Sequence, residues 1–254
     1  MGKIKAIFFD QDGVIIDTER DGHRVSFNMT FKEFGFTDEW GVDYYHELLQ
    51  IGGGKERMKH HWQTKGFSRP VPPEDVDELI RNMHKRKTSL FVQLIETGKL
   101  PLRPGVHRLM REAMNAGLKI GVCTTSNEQT ARAITEDFLS DIKFDVVLAG
   151  DVVSKKKPDP EIYTLALNLT GLRPDEAIVI EDSKNGVLSA KSAGLHVVVT
   201  TNPYTENEDV SGGDIIASCL GDPDGEKCRL RKGELVSDGV LRVEQLVDYF
   251  SKGS

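Results

Sequence analysis

Between residues 118 and 200 the chain alternates short apolar runs with longer segments of helical periodicity. Segments 118–123, 144–149, 177–180 and 196–200 are apolar and bounded by polar or turn residues, which predicts strands buried on both faces. Segments 128–139, 160–169 and 185–193 lie between them and predict helices. Asp159 is placed to cap the second of these, with Pro160 at its first position. A further helix is predicted over 106–116 and stopped by Gly117. This repetition implies a parallel sheet with helices on both faces, and residues 5–9 are expected to join it. The tail carries a short predicted strand (214–217), a Gly/Asp-rich loop (221–225) and a final helix (243–250).

Residues 17–100 break this rhythm. They show helical periodicity and almost no strand signal, with Phe27, Phe31 and Phe34 on one face. Leu79, Met83, Leu90, Leu94 and Ile95 predict one long helix or two. The expected organisation is an α/β core made of residues 1–16 and 101–254, interrupted by a helical insertion over 17–100.

Composition narrows the function. The 254 residues are 38% hydrophobic and 29% charged, an ordinary globular balance. No apolar run approaches the roughly 20 residues that span a bilayer. No secretory leader is evident before the first strand. The net charge of −7 argues against broad nucleic-acid binding. The three cysteines (Cys123, Cys219 and Cys228) form no CxxC pair; a reducing compartment without a disulfide framework is expected. Cys123 reads as a small core residue, and the other two as incidental.

The chemistry lies where the predicted strands end, the edge at which open α/β sheets bind ligands. The first strand ends in Asp10-Gln11-Asp12-Gly13, the second in Thr124-Thr125-Ser126-Asn127. The third is followed by Gly150-Asp151 and then Lys155-Lys156-Lys157-Pro158, the fourth by Glu181-Asp182-Ser183. Each signal alone has a plain structural explanation, such as a turn, a cap or a charged surface. Together they supply carboxylates, hydroxyls and lysine in an order that suits phosphoryl transfer, where catalysis is mostly positioning and charge stabilisation.

These residues resemble the four motifs of the haloacid dehalogenase (HAD) superfamily of phosphohydrolases: Asp10-Gln11-Asp12-Gly13-Val14, Thr124, Lys157-Pro158, and Glu181-Asp182-Ser183 followed by Gly186. The resemblance implies a Rossmann-like parallel-sheet core with the insertion as a small α-helical cap for substrate specificity. Asp17 to Arg24, Ile51 to Arg57 and Ala149 to Val153 further resemble the CbbY group, which includes xylulose-1,5-bisphosphate phosphatases. The related β-phosphoglucomutases share much of the motif set, so a phosphosugar mutase stands as the alternative.

By this resemblance Asp10 is the nucleophile, Asp12 the general acid and base, and Thr124 and Lys157 complete the catalytic set. Mg²⁺ would be held by Asp10, the main-chain carbonyl of Asp12, and Asp182, with Glu181 as a further contributor. Thr125, Ser126 and Asn127 would line the phosphate. The cap would bind the sugar bisphosphate through Thr18, Glu19, His23, Arg24, Gly53, Gly54, Lys55 and Lys87. His23 also continues the Phe27/Phe31 face, where a packed core histidine is the other reading. The implied partner is a phosphorylated sugar, with no nucleic acid and no membrane. A monomer is expected, in the cytoplasm or, if a transit peptide has been removed, in the plastid stroma.

Overall fold

In the computed structural model, residues 4–49, 51, 53–97, 100–126, 128–234 and 238–252 are described. In chain order the elements are β1 (Ala6–Phe9), α1 (Arg24–Glu33), α2 (Val42–Leu49), α3 (Gly54–Thr64), α4 (Pro73–Glu96), α5 (Val106–Asn115), β2 (Lys119–Cys123), α6 (Glu128–Arg132), β3 (Val146–Leu148), α7 (Glu161–Thr170), β4 (Ala177–Glu181), α8 (Lys184–Ser192), β5 (His196–Thr200), β6 (Ile215–Ala217), β7 (Leu230–Lys232) and α9 (Val243–Lys252). The chain divides into two compact units, Met1–Asp17 with Pro101–Ser254, and Thr18–Leu100. Among the described residues no helix is long and apolar enough to cross a membrane.

The first unit is built on a seven-stranded sheet of order β3-β2-β1-β4-β5-β6-β7. The pairings from β3 to β6 are parallel, and β7 joins antiparallel. Strand β1 lies between β2 and β4, with Phe9 level with Val122 of β2 and with Ile180 of β4. That register brings three strands to a common carboxyl edge. Every residue of β1 and β4 is buried, which explains why both read as continuous apolar runs. One face packs Ala6, Phe8, Val179 and Val197 against Ile162, Tyr163 and Ala166 of α7 and Val187 and Ala190 of α8. Buried side chains of α5 (Leu109, Met110 and Ala113) lie on a helix that packs against β2 and α9.

Local signals explain most of the boundaries. Gly117 takes φ +73° after α5. Its N–H donates to Met114 O and that of Leu118 to Ala113 O, a Schellman turn that leads directly into β2. Helix α7 begins at Glu161, one residue later than the capping pattern suggested; Asp159 Oδ1 nevertheless accepts the Glu161 N–H at 3.1 Å. The helix expected over 128–139 is α-helical only to Arg132 and widens into a π-turn over Ala133–Phe138. Strand β3 keeps three of its six expected residues. Strand β7 was missed because it has three residues, two of them charged, as suits a protected sheet edge.

The helical unit opens with a π-turn over Thr18–His23 that runs into α1. Its interior is an aromatic cluster. Trp40 is fully buried, with its ring centroid 4.6 Å from that of Phe27 and 5.0 Å from that of Phe31. Phe34 is only half-buried, and Phe36 and Phe67 complete this side instead. Residues 73–96 form one helix of 24 residues. Its buried stripe runs Val76, Ile80, Met83, Lys87, Leu90 and Ile95, while Leu79 and Leu94 are half-buried. A lysine therefore occupies a position that the helical period reserves for an apolar side chain.

Candidate active site

The carboxyl edge of the sheet gathers the motif residues. Asp10 follows β1, and its N–H donates to Ile180 O at 2.9 Å, so strand pairing continues one residue into the motif. Lys157 arrives from the segment after β3. That segment is fixed by Glu161, whose carboxylate accepts the N–H groups of Ser154 and Lys155 and the Ser154 hydroxyl. Lys157 Nζ donates to Asp10 Oδ1 at 2.6 Å, to Glu181 Oε1 at 2.7 Å and to Cys123 O at 2.8 Å. Tyr163 Oη also donates to Glu181 Oε1, at 2.5 Å, and the Asp182 N–H donates to Glu181 Oε2. Asp182 Oδ2 accepts from Asn202 Nδ2 at 2.7 Å.

Asp10, Glu181 and Asp182 are 7%, 1% and 6% exposed. One oxygen of each lies within 4.8 Å of the others. Buried carboxylates at this density resist ionisation. Asp10 is pushed up to about 7, first by burial, with Glu181 and Asp12 adding to it and Lys157 opposing. Asp182 is held well above the usual carboxylate range by burial, Asp10 and Glu181. Lys157 is raised by its two carboxylate partners in spite of burial and stays charged. The three carboxylates share one lysine, their raised protonation marks a site short of positive charge, and the donors are hard oxygens. The set fits a divalent cation of the Mg²⁺ type.

Asp12 stands apart from this acidic group. Its Oδ2 accepts a hydrogen bond from Ser126 Oγ, so Ser126, expected at the phosphate, positions the second aspartate. Thr124 is fully buried at the end of β2, and its Oγ1 accepts the Ser126 N–H at 3.0 Å. Thr125 is exposed. Asn127 and Gly52 lie outside the described residues.

Two glycines make this geometry possible. Gly13 has φ +85°, and a Cβ there would sit 2.1 Å from Asp182 Oδ2. A Cβ on Gly186, in the first turn of α8, would fall within 2.3 Å of both Glu181 carboxylate oxygens. Arg103 fixes the turn after β1. It donates to Gly13 O and Thr200 O through Nη1, and to Thr201 O and Ser218 O through Nη2. Sequence reasoning missed Arg103, Tyr163 and Asn202. Asn202 follows β5 in a polar Thr-Thr-Asn run, the strand-end signal that located the other motifs. Arg103 and Tyr163 carry no such mark.

Within the helical unit the proposed cap residues fall into separate groups. Glu19 Oε2 accepts from Tyr45 Oη at 2.6 Å and lies 3.8 Å from Arg57 Nη1. His23 Nδ1 is 2.7 Å from Lys87 Nζ, and its ring packs against Phe91 at a tilt of 33°, with centroids 3.9 Å apart. Burial first, then Lys87, Arg57 and His84, hold His23 well below the usual histidine range, so Nδ1 accepts from the lysine. His23 is thus packed and polar-paired at once. Arg24 donates to Arg20 O and Trp40 O. Thr18 is buried, Lys55 is exposed, and Gly53 and Gly54 open α3.

A parallel sheet with a lysine-bridged acidic group and a DxD turn at its carboxyl edge defines a class of hydrolase. Residues 4–194 match the model of the haloacid dehalogenase-like hydrolases. The chain belongs to that family, and it is a phosphatase within it. It is 47% identical over 226 residues to a CBBY-like protein of Arabidopsis thaliana, covering 87% of this chain and 71% of that one. It is 41% identical over 216 residues to Protein CbbY of Cereibacter sphaeroides, covering 83% and 90%. Among solved structures it resembles a mutant of CbbY from Rhodobacter sphaeroides in complex with xylulose-(1,5)bisphosphate, with TM-score 0.69 and 38% identity over 85% of this chain and 94% of that one.

Proposed function

We propose that this chain is a Mg²⁺-dependent sugar-phosphate phosphatase that converts xylulose 1,5-bisphosphate to xylulose 5-phosphate through an aspartyl phosphate on Asp10. The observation that carries the chemistry is the convergence of Asp10, Lys157, Glu181 and Asp182 on one strand edge, with Asp12 held separately by Ser126. The substrate follows from the likeness to CbbY in complex with that bisphosphate.

Asp10 Oδ attacks phosphorus, and the bond to the sugar oxygen breaks. Asp12 donates a proton to that leaving oxygen, then removes one from the water that cleaves the acyl phosphate. A carboxylate nucleophile divides one hard displacement into two easier ones, and such proton transfer contributes roughly 10²–10⁴-fold. Lys157 neutralises charge on Asp10 and on the phosphoryl oxygens. Thr124 takes the Ser126 N–H on its oxygen, which leaves its own proton free to donate to the phosphate, and the Thr125 amide adds a second donor. Asp10, the Asp12 carbonyl and Asp182 would hold Mg²⁺, with Glu181 closing the acidic group and setting Lys157. When bound, the ion shields the carboxylates and polarises the phosphate.

The unit Thr18–Leu100 is the cap that selects the sugar. Thr18, Glu19, His23, Arg24, Gly53, Gly54, Lys55 and Lys87 are its candidate contacts to the sugar bisphosphate, and binding of the non-reacting phosphate there supplies remote energy for the reaction.

Phosphate release over a panel of sugar mono- and bisphosphates tests the reading. Xylulose 1,5-bisphosphate should give one equivalent of phosphate and the highest kcat/KM, and Asp10→Asn should abolish release while keeping the fold. Isomerisation without net phosphate would replace the phosphatase with a mutase. Preference for another sugar would overturn the substrate and leave the chemistry standing.

A further inference from the structure

Cys219 and Cys228 are nine residues apart in the sequence, each two residues beyond the last paired position of the sheet edge. In the antiparallel pairing of β6 with β7, Ala217 stands opposite Leu230. One step on, Ser218 N–H donates to Arg229 O, and Arg229 N–H to Ser218 Oγ, both at 3.0 Å. Carried one position further, that register would set Cys219 against Cys228, whose own N–H donates to Gly239 O at 2.8 Å. The hairpin is closed beyond them by the Asp222 N–H donating to Glu226 O at 2.8 Å. The two arms are close beyond the cysteines as well, where a Cβ on Gly221 would lie 3.1 Å from Cys228 N.

Opposed residues of an antiparallel pair point to the same face, with α-carbons about 4.5–5.5 Å apart. A disulfide spans about 4.4–6.8 Å between α-carbons. Both residues are thiols here, 2% and 9% exposed. The Cys219 thiol is pushed up chiefly by burial, and Cys228 is among the groups that raise it, which puts the two within electrostatic reach.

We propose that Cys219 and Cys228 are a redox modification site that closes an intramolecular disulfide across this hairpin by exchange with a disulfide oxidant. One thiol loses its proton and attacks a sulfur of the oxidant, expelling a thiolate. The second thiol loses its proton and attacks the mixed disulfide, expelling the other thiolate. The protein gives up two protons and two electrons, and the oxidant leaves as two thiols. Burial makes the reaction wait on opening of the hairpin, whose tip, residues 223–227, is exposed. Cys123 is excluded. It lies in β2 between two strands without cysteine and is pushed up to about 12 by burial. The pair also borders the Arg103 clamp, because Ser218 O accepts from Arg103 and the Leu220 N–H donates to Pro104 O.

The full chain is equilibrated in oxidised glutathione, then unfolded and assayed for thiols, intact mass and linked peptides. The expected result is loss of two of the three thiols, a mass lower by two hydrogens, a peptide linking positions 219 and 228, and recovery of all three thiols with dithiothreitol. Neither Cys219→Ser nor Cys228→Ser should give the internal link, with folding of each checked by circular dichroism. Retention of three thiols, glutathione adducts at both positions, or a link to Cys123 would each overturn the proposal.

Discussion

Replacing Gly13 with alanine tests how closely the turn after β1 is fitted to the acidic group. The added Cβ would lie 2.1 Å from Asp182 Oδ2 and 2.7 Å from Asn202 Nδ2. Ordinary contact begins near 3.4 Å, so the carboxylate oxygen must retreat by about 1.3 Å, the difference between those distances. A displacement of about 1 Å in a reacting constellation costs on the order of 10²-fold in rate. Gly13 also sits at φ +85°, where an L-residue costs roughly 1–2 kcal/mol. For a chain of this size that lowers Tm by about 2–8 °C. Steady-state phosphate release should therefore show kcat down by about 100-fold, with weaker Mg²⁺ binding by calorimetry and an intact fold. In a double-mutant cycle with Asp182→Asn the losses should be strongly non-additive. A variant with normal kcat and normal Mg²⁺ affinity would refute the claim that Gly13 is required for the placement of Asp182.

Three further outcomes are expected. Lys157→Met removes the cation between Asp10 and Glu181 at a site 7% exposed, and the uncompensated charge should cost about 3–5 kcal/mol in urea unfolding; a loss under 1 kcal/mol would contradict it. Asp10 is raised from 3.8 to about 7, so its protonated form favours the fold. That contribution is complete below about pH 4 and lost as pH rises through 7. Mg²⁺ competes with this proton and should raise Tm more at pH 8 than at pH 5, whereas an equal shift at both would rule the linkage out. Ser126→Ala frees Asp12 from its hydroxyl partner and should lower kcat about 10-fold, part of the roughly 10²–10⁴ that proton transfer supplies. Unchanged kcat would remove Ser126 from its positioning role.

The four motif segments were legible because each combines an apolar strand with polar residues at its end. Only a sheet edge uses such a pattern repeatedly. Lys157 could be singled out from Lys155 and Lys156 only by resemblance. Its distinction is physical: it is the lysine that reaches Asp10 and Glu181, whereas Lys156 turns back to Gly150 O and Lys155 lies near Asp159. Lys87 shows the opposite case. Its neighbours in sequence, Lys85 and Arg86, suggest a charged helix face, yet it is buried in the apolar stripe of α4 beside His23, Phe27 and Phe91. No local signal separates a buried lysine from a solvated one.

The sequence by itself determined the strand–helix alternation, the helical insertion after the first strand and the polar segments at the strand ends. These follow from periodicity, caps and strand-end composition, all of which act over a few neighbouring residues. The tertiary structure alone decided that Asp10 meets Glu181 and Lys157, that Ser126 serves Asp12, and that Arg103 ties the first strand's turn to two others. The pairing of Asp10 with Lys157 alone spans 147 positions along the chain. Such pairings are set by strand order and register, which depend on how the whole sheet packs and not on any local preference.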